Sequence, residues 1–134
     1  MSKRISSQTV IEQYIKSCAI LKDCTLSGDY KRGNREGKKL VKIFKILESN
    51  LDLAKNSLPH LFTHDNVVTR TKAAAHCIAL NIYINEAVTI LENASVDKAN
   101  GVFGFNAKMT LYVWHEQGFL SVYPKLLTQK SDLH

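Results

Sequence analysis

The chain has little of what breaks or crosslinks a fold. Two prolines and six glycines in 134 residues are too few for a low-complexity or disordered protein. No apolar run approaches the ~20 residues needed to cross a bilayer, so no membrane-spanning helix is expected. The N-terminal stretch MSKRISSQTVIEQYIKSC has neither a continuous apolar segment nor a small-residue cleavage site. It carries no secretory signal, and the expected location is cytoplasmic. Three cysteines, Cys18, Cys24 and Cys77, are an odd set in such a chain and do not suggest a disulfide scaffold. Cys18 and Cys24 do not have CxxC spacing. Cys77, within AAAHCIAL, reads as a buried, inert thiol.

Catalytic signatures are also missing. The sequence has no GxSxG, no phosphate loop, no GxGxxG and no paired carboxylates at catalytic spacing. Gly101, Gly104 and Gly118 read as turn glycines. His60 and His64 are four apart and would share a face on a continuous helix, but Pro59 and Asp65 bracket them and no HExxH or Cys–His set accompanies them. His76 and Cys77 are neighbours, and adjacent helical side chains point about 100° apart. His76 is therefore expected to be a half-exposed or hydrogen-bonded helix residue. The expectation is a protein that is not an enzyme, with no metal site and no cofactor.

What is present is a helical pattern throughout. A chain of this length forms one ordinary domain, burying roughly two-thirds of its unfolded surface. With 45% apolar and 22% charged residues, its composition is that of a globular domain with a normal core. Val10, Ile11, Tyr14, Ile15, Cys18 and Leu21 recur every three or four residues and predict a first helix over 8–24, with Ser6, Ser7 and Thr9 upstream as caps. Asp29 starts a second helix, 29–49. A third, 51–63, contains Pro59, which should end, kink or restart it. Asn66 or Asp65 caps a fourth, 67–80, and Asn85 begins a fifth, 85–94. A loop over Val96–Gly104 precedes a sixth helix, 107–117, capped by Asn106 and closed by Gly118. The tail should fray after about Leu127. The expected fold is a single all-α domain over 1–134, with five to seven antiparallel helices stacked in HEAT-like pairs.

Charge is concentrated in one place. The stretch 31–45 holds seven basic residues and one acid, Glu36, which accounts for the whole net charge of +6; elsewhere acids and bases balance. At 100° per residue, Lys31, Arg35, Lys38, Lys42 and Lys45 lie within about 80° of one another on the second helix. Tyr30, Leu40, Val41, Phe44 and Leu47 fall on the other side. Gly33 and Gly37 share a face and would permit a close helix contact. A basic stripe of this kind is either a solvated face, a dock for an acidic protein, or a contact for a nucleic-acid backbone. With Tyr30 and Phe44 assigned to the apolar side, the stripe lacks the exposed aromatics that stack on bases, which favours a protein partner. Arg70, Tyr83 and Tyr112 are of the residue types enriched at interface hot spots.

The segment Asp65–Leu120 carries a resemblance. It orders a short polar cap, an Ala-rich helix, an xEAxxxLE helix, and the motif Phe105–Ala107–Lys108–Met109–Thr110–Leu111–Trp114–Gly118. In this it resembles a family of small, all-α, HEAT-like bacterial proteins catalogued as a domain of unknown function. Some members look like immunity proteins of polymorphic or contact-dependent toxin systems. The chain departs from the family at His115, where a lysine or an acid is usual, and in its strongly basic second helix. The resemblance implies an inhibitor that binds a cognate toxin protein, such as a nuclease, and occludes its active or substrate-binding surface. A HEAT-like nucleic-acid or regulatory module is the alternative. The charge of +6 further implies an acidic toxin surface or an interface away from the second helix. In the motif, Met109 and Val113 are expected to pack inward. Trp114 should cover the core edge, holding the last helix against Ala73–Ile78.

Overall fold

The computed structural model describes residues 5–122. The tail beyond Leu127, expected to fray, lies outside the described residues. Six α-helices follow one another: α1 (Ser7–Ser27), α2 (Tyr30–Glu48), α3 (Leu51–Ser57), α4 (Val67–Ala79), α5 (Ile84–Val96) and α6 (Val102–Gln117). No strand occurs among the described residues, and the chain is all-α as its periodicity predicts. No helix among them is long and apolar enough to cross a membrane.

Local chemistry sets most helix ends. Ser6 caps α1, its Oγ accepting from the Thr9 amide at 3.1 Å. Gly28, at φ 78°, closes the same helix by donating to the Cys24 carbonyl at 2.8 Å. Only glycine enters this left-handed conformation without steric cost, so α1 runs on through Thr25–Ser27 until it reaches one. Asp29 and Asn66 cap α2 and α4 through their side chains, satisfying amides that the first turn leaves free. Pro59 restarts the third helix: α3 stops at Ser57 and a 3₁₀ turn, Leu58–Leu61, follows with the proline in its first positions. Gly118 closes α6 at φ 79°.

Two starts differ from expectation. Helix α5 begins at Ile84, directly after Tyr83 in a left-handed conformation with φ 48°. Helix α6 begins at Val102, five residues before the expected start, and Asn106 is an exposed residue of its second turn and not a cap. Gly104 explains the error. It is a contact residue within a helix, not a turn residue: a Cβ there would lie 2.8 Å from the Ala94 carbonyl oxygen of α5.

Consecutive helices double back on one another. Helix α2 packs on α1, α5 on α4, and α6 on α5, while α1 against α4 joins the first pair to the rest. Helix α6 meets α4 only at a few points, so its main support is α5 and not the Ala73–Ile78 helix. One core runs through the domain, from Val10, Tyr14 and Cys18 through Leu47, Leu58 and Leu61 to Ala73, Cys77, Leu91 and Ala107. All three cysteines are buried and unbridged. Burial raises the Cys18 thiol to about 11 and the Cys77 thiol to about 12, which keeps both as thiols at neutral pH.

Candidate functional site

The basic stripe forms as the helical angle predicts. Lys31, Arg35, Lys38, Lys42 and Lys45 are all exposed on the outer side of α2. The inner side buries Leu40, Ile43, Phe44 and Leu47. Tyr30 does not join them. It is 77% exposed, because the first turn of α2 lies beyond the reach of the core that its second half covers. The expectation that this aromatic faces inward is therefore corrected. Gly33 lies close to α1, with a Cβ position 3.4 Å from Cys24 Cβ, whereas Gly37 has nothing within 4 Å and faces open space.

Glu36, the lone acid of the basic stretch, is buried. Ser17 of α1 donates to its Oε1 at 3.0 Å and Lys39 to its Oε2 at 2.9 Å, while Gln13 donates to the Ser17 hydroxyl at 2.6 Å. The Lys39 ammonium, aided by the Ser17 hydroxyl, holds the carboxyl below its usual range against the opposing effect of burial. This network bolts α2 onto α1 and explains why one acid interrupts an otherwise basic stretch.

His76 is the second unexpected feature. It is 4% exposed, and its Nδ1 lies 2.6 Å from the Tyr14 hydroxyl. The Tyr14 and Phe44 rings meet it edge-on at 5.5 and 4.9 Å. Three helices, α1, α2 and α4, thus converge on one imidazole. Burial, with the nearby charge of Lys72 adding to it, lowers its pKa to about 3, so the ring is neutral at physiological pH. Tyr14 Oη has no other hydrogen-bond partner among the described residues, so donating to Nδ1 satisfies its proton; the proton of His76 then sits on Nε2.

An open groove of about 610 Å³ lies between α2 and α4, lined by Asn34, Gly37, Lys38, Val41, Lys42 and Lys72, with His76 at its inner wall. A second depression continues from Lys72 and His76 to Met109 and Val113 of α6. Lys38 and Lys42 of the stripe therefore share one concave surface with the sequence motif of α6.

The motif itself is turned differently from expectation. Val102, Phe105, Met109 and Tyr112 fall within about 80° on α6, and all four are exposed, Phe105 at 59% and Tyr112 at 57%. Met109 does not pack inward. Phe103 and Ala107 on the opposite side fill the core, with Leu111 and Trp114 half-buried against it. Helix α6 is apolar on two sides, and only one is covered. The other proposed contact residues lie elsewhere. Arg70 is half-buried and donates from Nη1 to the carbonyls of His64 and Asp65, both at 2.9 Å, which ties down the loop before α4. Tyr83 is exposed at the left-handed start of α5. His60 sits in the 3₁₀ turn and His64 in the loop beyond it, where its Nδ1 accepts from the Asn66 amide at 3.1 Å, so the two do not share a continuous helix face. No group of three metal-ligating side chains occurs among the described residues.

Comparison of the chain with protein-family models, with curated proteins and with solved structures finds no match.

Proposed function

We propose that this is a non-catalytic protein-binding domain that neutralises a cognate toxin protein by covering its active or substrate-binding surface. The observation that carries the reading is the exposed stripe Val102, Phe105, Met109 and Tyr112 on α6. Four large apolar side chains lined up on one helix face and left to water cost free energy that a monomer has no reason to bear. Aromatic residues and methionine are also the types enriched at the desolvated centres of interfaces. The stripe coincides with the FxAKMTLxxW segment that supports the resemblance to immunity proteins. Its anchors are carried by α6 and not by the basic helix, so the apolar contact does not itself depend on the charge of α2. In this reading the lysines of α2 act at the rim and steer association.

The reading requires a toxin gene beside this one, and the test uses the C-terminal domain of that neighbour's product. The chain should bind it and restore growth to cells that produce it. Replacing Phe105 and Tyr112 by Asp should weaken binding by at least about 30-fold, as expected when hot spots worth about 2 kcal/mol or more are lost, with the helical circular dichroism spectrum unchanged. Failure of the wild-type chain to bind or protect, or full protection by the double variant, would refute the reading.

One observation favours a second reading. Tyr30 stands exposed at the head of the basic stripe, giving α2 the base-stacking aromatic that single-stranded nucleic acid requires. Salt-dependent binding of an RNA oligonucleotide, lost in Tyr30→Ala and in Lys31→Glu/Arg35→Glu, would support it over the first.

A further inference from the structure

Among the described residues, the groove between α2 and α4 presents cationic donors and no acceptor of opposite charge. Lys38 and Lys42 project from α2 and Lys72 from α4, and no carboxylate lines the cavity among the described residues. None of the three forms an ion pair among the described residues, whereas Lys39 on the same helix is paired with Glu36. Lys72 is half-buried and borders this groove and both neighbouring depressions. A partly desolvated ammonium without a counter-ion is costly to hold.

His76 supplies an independent sign of the same chemistry. It is more than nine-tenths buried and lines the groove. Its Nδ1 is engaged by Tyr14, which leaves Nε2–H without a hydrogen-bond partner among the described residues on a ring that lines the cavity. The tautomer is held by a phenol from a different helix, so this N–H is fixed as a donor. Gly37 forms part of the wall and has open space where a side chain would be, while Leu40 and Val41 add apolar lining.

We propose that this groove is a binding site for a small phosphorylated molecule, its phosphate oxygens held by Lys38, Lys42, Lys72 and the Nε2–H of His76, and its organic part lying on Leu40 and Val41. A carboxylate offers two oxygens and one charge, too few for four donors carrying three positive charges. A phosphate or diphosphate offers more oxygens and more charge, and charge-assisted hydrogen bonds to them are the strong kind. The volume of about 610 Å³ is within the range of roughly 300–1,000 Å³ typical of small-molecule sites. Gly37, next to Lys38, leaves room for the ligand at the α2 wall of the groove. The proposal does not rest on the toxin-binding reading, whose anchors are on α6 and which uses the α2 lysines only at its rim.

The experiment is calorimetric titration of the full chain with inorganic pyrophosphate, and with citrate as a polycarboxylate control, at 0.15 M salt. At that ionic strength the Debye length is about 8 Å, and diffuse attraction to the stripe is suppressed. Saturable one-to-one binding of pyrophosphate is expected. Lys72→Gln should weaken it by about tenfold or more, the loss of one charge-assisted bond. Gly37→Leu should abolish it by filling the groove. That variant meets no atom within 4 Å at Cβ and replaces a poor helix former by a good one, so it should fold at least as well as the wild type. Lys31→Gln/Arg35→Gln, on the same helix but outside the groove lining, should change affinity less than about twofold, as distant surface charges do. The His76 Nε2–H resonance should shift on titration without a change of tautomer. Absence of saturable binding, equal binding of citrate, an unaffected Gly37→Leu variant, or an equal loss in the Lys31/Arg35 control would each overturn the proposal.

Discussion

Lowering the pH from 6.5 to 5 should destabilise this protein through a single side chain. His76 is buried as a neutral ring, with its pKa brought down to about 3 by burial and by Lys72. In the unfolded chain an imidazole titrates near 6.5. The unfolded state therefore takes up the proton first. Stability is fully present above about pH 6.5 and falls as the pH drops, with the loss complete only near pH 3. Linkage gives about 2 kcal/mol lost at pH 5 and an upper limit of roughly 5 kcal/mol at pH 3. Protonation would also put a second donor opposite the Tyr14 hydroxyl, whose 2.6 Å contact requires Nδ1 to accept. Glu36 contributes in the same direction, because its carboxyl is held below the usual range by Lys39. Its stability is lost only as the pH falls below the ordinary carboxylate value of about 4.3, so the interval from 6.5 to 5 isolates the histidine. The assay is urea denaturation at half-unit steps of pH for wild type and His76→Gln. Glutamine can accept from Tyr14 and does not titrate, so the variant should be less stable at pH 7 but should lose about 1.6 kcal/mol less across the interval. Parallel curves for the two proteins would refute the assignment of His76 as a buried neutral ring.

Two further substitutions test the packing. Gly104→Ala gains about 1 kcal/mol of helix propensity, but its methyl would press on the Ala94 carbonyl at 2.8 Å; overpacking against backbone should win, for a net loss of about 1–2 kcal/mol and a lower denaturation midpoint. Trp114 is half-buried at the core edge, so Trp114→Ala should cost about 2 kcal/mol, less than the ~3–5 of a fully buried aromatic; an unchanged midpoint would mean the ring does not support α6.

Legibility followed the range of the interaction. Asp29, Asn66, Gly28 and Gly118 act within one turn of themselves, so their roles as caps and stops can be read from the residues alone. The basic face of α2 is equally legible, because the angle between Lys31 and Lys45 depends only on the helix repeat. Pro59 announces its own break. At α6 the same reading fails: Gly104 looks like a turn signal when only its own chain neighbours are considered, and its actual reason, the Ala94 carbonyl, lies ten residues upstream on another helix.

Which apolar face is covered is also not a property of the periodicity. Helix α6 is apolar both around Phe103 and Ala107 and around Phe105 and Met109, and its own pattern cannot say which side α5 will take. Helix α5 takes the Phe103 and Ala107 side of α6, and that placement in the bundle leaves Met109 and Tyr112 exposed. Tyr30 is exposed for a related reason, at a helix end that overhangs the core. Tyr14 and His76 are 62 residues apart; each reads locally as an ordinary helix residue, and only the packing of α1 on α4 turns them into a donor and its acceptor. The same packing sets Lys72 opposite Lys38 and Lys42 across a groove. Residue types and their spacing along the chain decide where helices begin, where they stop and which way their charges point. Which faces are buried, and which distant side chains share a cavity, is decided by how the helices stack, because those contacts join positions that no local period relates.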